Sequence, residues 1–231
     1  GSGVRGQGSG IQFENPLLVP PDLKSHEVTG VSLDEIFAHI NPVMLYGKHL
    51  GLKGSFYKQI EAGEVKALDL RKKVTELQDK IQAQNLLHPR GLYQFFRAYS
   101  DGDDLVILDS SKKEITRFNL PRQEREPYLC LSDFVAPKDS GLDDFVGMFV
   151  VTAGDGVMDL ANKYKDAGHY FESHAIAAIA LESAEGLAEL LHKRMRQMWG
   201  IKDDPKLTLP QLHDAQYHGK RFSFGYPSCP N

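Results

Sequence analysis

Residues 92–120 read LYQFFRAYSDGDDLVILDSSKKEITRFNL. Three apolar or alternating runs stand out in it: Leu92–Ala98, Leu105–Leu108 and Glu114–Leu120. Ser100-Asp101-Gly102-Asp103 and Asp109-Ser110-Ser111 separate them. Glycine accepts the positive φ of a tight turn, and Asp and Ser side chains bond to backbone nearby, so these separators are turn chemistry. The runs are predicted to be strands of an antiparallel meander. Further on, Phe145–Thr152 is a continuous apolar run, suited to the middle of a sheet.

Helical patterns lie on both sides of this β region. Ser32 with Glu35 fits a capping box, followed by Ile36, Phe37 and Ile40 on one helical face. Pro42 opens a second helical stretch, with Asn41 marking a kink or break. Across residues 62–85, Val65, Leu68, Val74, Leu77 and Ile81 recur at three-to-four spacing, with charges opposite. That run is too short for several heptads, so it reads as a surface helix packed on one side. A helical pattern covers 157–166. Residues 170–199 read as one long helix whose buried stripe is Ile176, Ile179, Ala180, Leu187, Leu190, Leu191 and Met195. His192, Lys193, Arg194 and Arg196 crowd its C-terminal end, where positive charge suits the helix dipole. A short helix follows at about 208–216.

Strands in the middle and helices at both ends predict the α+β class. Residues 1–10 are Gly-rich and read as a tag or linker. Residues 11–30 read as an extended N-terminal arm, and 31–231 as the domain, with no clear internal boundary. The 231 residues suffice for a sizeable core. A net charge of −4 offers no basic field for phosphates, so nucleic acid is not an expected partner. No apolar run reaches the length of a membrane span, so no membrane partner is expected either. Cys130 and Cys229 lie far apart and form no CxxC pair, which fits a reducing cytoplasm.

The stock motifs of catalysis are absent: no GxGxxG, P-loop, HExxH or GxSxG. Ala153-Gly154-Asp155-Gly156 follows a strand like a phosphate turn but lacks the full fingerprint. Glu185, Glu189 and His192 share one helical face at metal-ligand spacing, though a solvated face is the simpler reading. No metal site and no catalytic residue are assigned. The informative segment is Gly219–Pro230, GKRFSFGYPSCP. Its glycines and prolines make a stiff loop with exposed backbone groups. Arg221 can clamp a carboxylate, and Phe222, Phe224 or Tyr226 can stack on a base or face a cation. On these grounds alone, a ligand loop and a rigid structural tail stay equally open.

The run Arg221-Phe-Ser-Phe-Gly-Tyr-Pro-Ser-Cys-Pro resembles the Arg-x-x-x-Gly-Tyr-Pro-Ala-Cys-Pro motif of the activation domain of cobalamin-dependent methionine synthase. Four upstream segments are similar to that family in order and spacing: Ile40–Gly47 (INPVMLYG), Asn85–Tyr93 (NLLHPRGLY), Ser132–Lys138 (SDFVAPK) and Ala184–Arg194 (AEGLAELLHKR). Together they cover nearly all of residues 30–231. The resemblance implies a C-shaped α+β domain with a central antiparallel sheet flanked by long helices. It also implies S-adenosylmethionine as ligand, whose methyl group is presented to cob(II)alamin for reductive methylation, reactivating the synthase in methionine biosynthesis. The cobalamin would be bound by another domain or protein, in cis or in trans, and a flavodoxin-like donor would supply the electron.

Residue by residue, the resemblance has Arg221 hold the ligand carboxylate and Ser223, where the family has Ala, contribute backbone hydrogen bonds. Gly225 belongs to the same loop, and Tyr226 shapes the pocket. Glu185 matches an acidic residue at the ligand site, facing a ligand with an ammonium and a sulfonium. Asn41 stands where the family has an Asp, keeping the acceptor and losing the charge. The family chain continues past the motif, so the resemblance implies an end cut short or a subtype with a short tail. On this reading the domain is the reactivation module of a methyltransferase (5-methyltetrahydrofolate–homocysteine) and is not catalytic alone. The alternative is a docking module for a cobalamin-binding protein without ligand binding of its own.

Overall fold

The computed structural model describes residues 4–5, 11–13, 17–154 and 156–230. Strands β1 (Val4–Arg5) and β2 (Gln12–Phe13) pair antiparallel. The rest of residues 1–10, read as a tag or linker, lies outside the described residues.

The central sheet has five strands: β3 (His26–Val28), β4 (Arg90–Asp101), β5 (Asp104–Leu108), β6 (Glu114–Asn119) and β7 (Asp144–Thr152). Their order is β3-β4-β5-β6, with β7 also paired to β4. The expected meander is β4, β5 and β6. Asp101 stands opposite Asp104, which leaves Gly102-Asp103 as the hairpin tip. At the next turn, Asp109 Oδ1 accepts from the amides of Ser111 (2.8 Å) and Lys113 (2.9 Å). The side chain thus replaces backbone partners that the turn leaves unpaired. The sheet corrects one expectation: β4 holds an inner place in the strand order, while β7 stands off that order and, among the described residues, pairs with β4. The apolar run of β7 buries Phe145 but exposes Val150, so it is not a strand covered on both faces.

The helices are α1 (Leu33–Ala38), a π-helix (Val43–His49), α2 (Phe56–Glu61), α3 (Val65–Ala83), α4 (Val157–Asp166), α5 (Tyr170–Met198) and α6 (Leu209–His213). Ser32 occupies the N-cap of α1, but its side chain makes no capping bond. A capping box forms instead at α6, between Thr208 and Gln211. The helix read from 62 begins at Val65, which is 82% exposed. The buried stripe of α3 is Ala67, Val74, Leu77 and Ile81. All seven predicted core positions of α5 are buried.

The chain divides into two compact units, each gathered from separate segments. One holds residues 27–92 and 150–193; the other holds 1–26, 93–149 and 194–231. The core of the first joins Ile40, Leu45, Val74, Leu77, Ile81, Ile176 and Ile179. Each such side chain contributes about 1.5–3 kcal/mol when fully buried. In the second unit, Ala98, Ile107 and Val135 form one cluster, and Leu120, Cys130 and Cys229 another.

Candidate functional site

The C-terminal loop is approached through Arg196 on the last turn of α5. Its Nη2 donates to both carboxylate oxygens of Asp203 (2.8 and 2.9 Å), and its guanidinium lies 3.8 Å from the Tyr217 ring centroid. A buried cation that is both paired and stacked is well compensated for its lost water. It ties the segment 203–217 to the helix just before the loop begins.

Within the loop, Gly225 N donates to Cys229 O (2.9 Å) and Cys229 N donates to Tyr226 O (2.8 Å). These bonds close a tight turn that needs φ near +90° at Gly225, a conformation any Cβ would strain. Cys229 is buried against Leu120 and Cys130, and the Phe224 ring lies 5.5 Å from that of Phe118. The loop is therefore fastened at one side to the end of β6. Phe222, Ser223, Gly225 and Tyr226 remain exposed, and Arg221 is half-buried. Features of a stiff tail and of a presenting loop occur together here, which is why the residues alone left both open.

Asn41 and Glu185 belong to the other unit. Asn41 is half-buried, and its Oδ1 accepts from Val43 N (2.9 Å), so it starts the π-helix. Glu185 is exposed on α5 beside Gly186. A Cβ at Gly186 would stand 2.7 Å from Ile36 O and 3.4 Å from Ile40 N. Only glycine lets the end of α1 run this close to α5. Asn41 follows Ile40 and Glu185 precedes Gly186, so both flank one backbone contact.

The face carrying Glu185, Glu189 and His192 is solvated only at Glu185. Glu189 is half-buried and His192 is buried, because α5 turns that face inward towards its C-terminal end. Among the described residues no group of three His, Cys, Asp or Glu side chains can hold a metal ion. At the suspected phosphate turn, Gly154 N donates to Thr152 Oγ1 (3.0 Å) and Ala153 O accepts from His88 N (3.0 Å). The Gly154 amide that a phosphate would need is thus occupied; Asp155 lies outside the described residues. No helix among the described residues is long and apolar enough to cross a membrane.

One buried polar pair escaped the sequence reading. Glu182 is 3% exposed, and its Oε1 lies 2.8 Å from Nε2 of His49, the last residue of the π-helix. Burial pushes the Glu182 carboxyl up, only partly offset by His49. Its signal was a carboxylate inside the apolar run IAAIALES, on the buried stripe of α5. Asp133, in the SDFVAPK segment, has the opposite balance. Burial raises its carboxyl, but two bonds from Arg122 (2.7 and 2.8 Å) and one from Cys130 N outweigh this and hold it low. Its role is to pin the 120–133 segment.

The sheet order defines an α+β domain whose C-terminal loop is fastened on one side and exposed on the other. Residues 32–231 match the family described as vitamin B12 dependent methionine synthase, activation domain, and the chain belongs to that family. It is 26% identical over 238 aligned positions to the methionine synthase of Mycobacterium tuberculosis (strain ATCC 25618 / H37Rv), across 96% of this chain and 20% of that protein. The chain therefore spans about a fifth of that relative's length. Among solved structures it is similar to the crystal structure of the MetH reactivation domain bound to AdoHcy. The TM-score is 0.85 at 31% identity, covering 95% of this chain and 71% of the other.

Proposed function

We propose that this chain binds S-adenosylmethionine and presents its methyl group to a cobalamin held by another domain or protein. The observation that supports this best is the kinship with a reactivation domain that holds AdoHcy, the demethylated form of the same ligand. Arg221 takes the ligand's carboxylate, as a guanidinium does with most strength when partly shielded. Ser223 and Gly225 offer backbone groups on the exposed side of the loop, and Tyr226 offers its ring. Glu185 supplies negative charge for the ammonium or sulfonium, and Asn41 an amide. In one unit the Arg221–Tyr226 loop offers groups for a carboxylate and an aromatic ring, and in the other Asn41 and Glu185 offer groups for a cation. One electron from a flavodoxin-like donor would reduce cob(II)alamin to the Co(I) level, and the methyl group would then leave the sulfonium for the cobalt, with AdoHcy as the other product. The chain acts as a reactivation module of a methionine synthase and supplies no catalysis alone.

Titration calorimetry of the intact chain with S-adenosylmethionine tests this. Saturable binding is expected, weakened about tenfold or more by Arg221→Ala, as for loss of a charge-assisted pair. No heat from the unsubstituted chain sinks the reading. Retained capture of a cobalamin-binding domain would then favour a docking module instead.

A further inference from the structure

We propose that His49 and Glu182 are positioning residues for the ligand site: a buried clasp that sets the Asn41–His49 segment against the helix carrying Glu185. The inference rests on the ligand reading given above and adds two residues to it.

The π-helix Val43–His49 is held at both ends. Before its start Asn41 Oδ1 accepts from Val43 N (2.9 Å), and Leu50 N reaches back to Leu45 O (3.1 Å) at its close. The wide i+5 winding is rare and is frequent at functional sites. Such a segment needs external bonds to fix its place. His49 provides two. Its Nε2 meets Glu182 Oε1 at 2.8 Å, and its backbone oxygen meets Nε2 of His174 at 2.8 Å. Both partners lie on α5, eight residues apart, so the end of the π-helix is stapled along more than two turns of that helix.

Glu182 stands one turn before Glu185 on the same helix. Lys48 and Glu185 are the other charges that act on it. Placing a carboxylate at 3% exposure is costly unless it is paired. Apolar side chains would fill the site at no such cost. The polar pair is directional, as a methyl contact is not, and it fixes the register of 41–49 relative to α5. That register sets where Asn41 stands relative to the helix that carries Glu185, since the close approach at Gly186 leaves the Ile36–Ile40 backbone no slack.

The test combines S-adenosylmethionine calorimetry with hydrogen–deuterium exchange over residues 43–52 of the unliganded chain. Glu182→Ala and His49→Ala should each weaken binding about tenfold and speed that exchange. Glu182→Gln keeps an oxygen for the His49 N–H and should restore both to within about threefold. Arg221→Ala should weaken binding and leave exchange over 43–52 unaltered. If Glu182→Ala does not fold, His49→Ala, on the more exposed partner, carries the comparison. Faster exchange with unaltered affinity would show a merely structural pair and overturn the inference while leaving the ligand reading intact. An unsubstituted chain that does not bind overturns both.

Discussion

Two buried carboxylates show how a single residue's surroundings set the sign of its effect. Glu182 has its carboxyl pushed up by burial, so the folded state holds its proton more tightly than the unfolded one. Its contribution is fully present below the ordinary carboxylate range and is lost as pH rises through the folded value. Glu182→Gln should therefore match the parent in melts below about pH 4. It should be more stable by about 1 kcal/mol at pH 7. Equal melting temperatures at both pH values would contradict this. Asp133 is held low by Arg122, so its contribution is present above the unfolded value and is lost as pH falls through the folded one. Asp133→Asn should cost about 2 kcal/mol at pH 7, with the penalty shrinking below about pH 4 in urea titrations. Neither sign was legible in the sequence. Periodicity marks a position as buried, but only the fold shows which partner arrives there. Arg221 and its loop were legible because Gly and Pro restrict the backbone whatever surrounds them.

Among elements, legibility followed the strength of local chemistry. β4, β5 and β6 fell within a few residues of expectation because Asp, Ser and Gly fix the turns between them. α5 was found whole, since a stripe of seven apolar residues admits one periodicity. The helical stretch opening at Pro42 was expected, but its π winding was not, and the short α2 was not read, because so few residues carry too little periodicity to mark a helix. The placement of β7 failed for a related reason: an apolar run does not say how many neighbours a strand will have. Gly186 shows an element contact with a direct test. A Cβ there meets a backbone oxygen at 2.7 Å, and that oxygen has no rotamer by which to move. Gly186→Ala gains helix propensity but forces α1 from α5. The overpacking cost of about 1–3 kcal/mol exceeds the propensity gain of about 1 kcal/mol at its upper end. Net destabilisation is expected, read as a fall of several degrees in a thermal melt. A rise in melting temperature would mean that α1 is not held at this point.

At the scale of the whole molecule, the sequence showed no internal boundary, and the two units explain why: each is assembled from stretches far apart in the chain. A linear scan finds boundaries only where a linker joins complete pieces. Residues 27–92 carry α1, the π-helix, α2 and α3, yet the core of their unit is completed by Ala175, Ile176, Ile179 and Ala180 of α5. Residues 27–92 made alone leave that apolar stripe of α3 uncovered and should give weak helical dichroism and narrow amide dispersion. The missing part enters where the chain returns. A Cβ on Gly91 would lie 3.1 Å from Val150 O, and His88 N bonds to Ala153 O at 3.0 Å. The end of the first segment thus runs beside the start of the second, and a connection of about 2–5 residues can join them as a hairpin loop does. Residues 27–92 spliced in this way to 150–193 should fold cooperatively, with strong helical dichroism and a single melting transition. If the spliced chain stays as disordered as 27–92 alone, the core it shares is not sufficient, and the unit depends on residues outside those two segments.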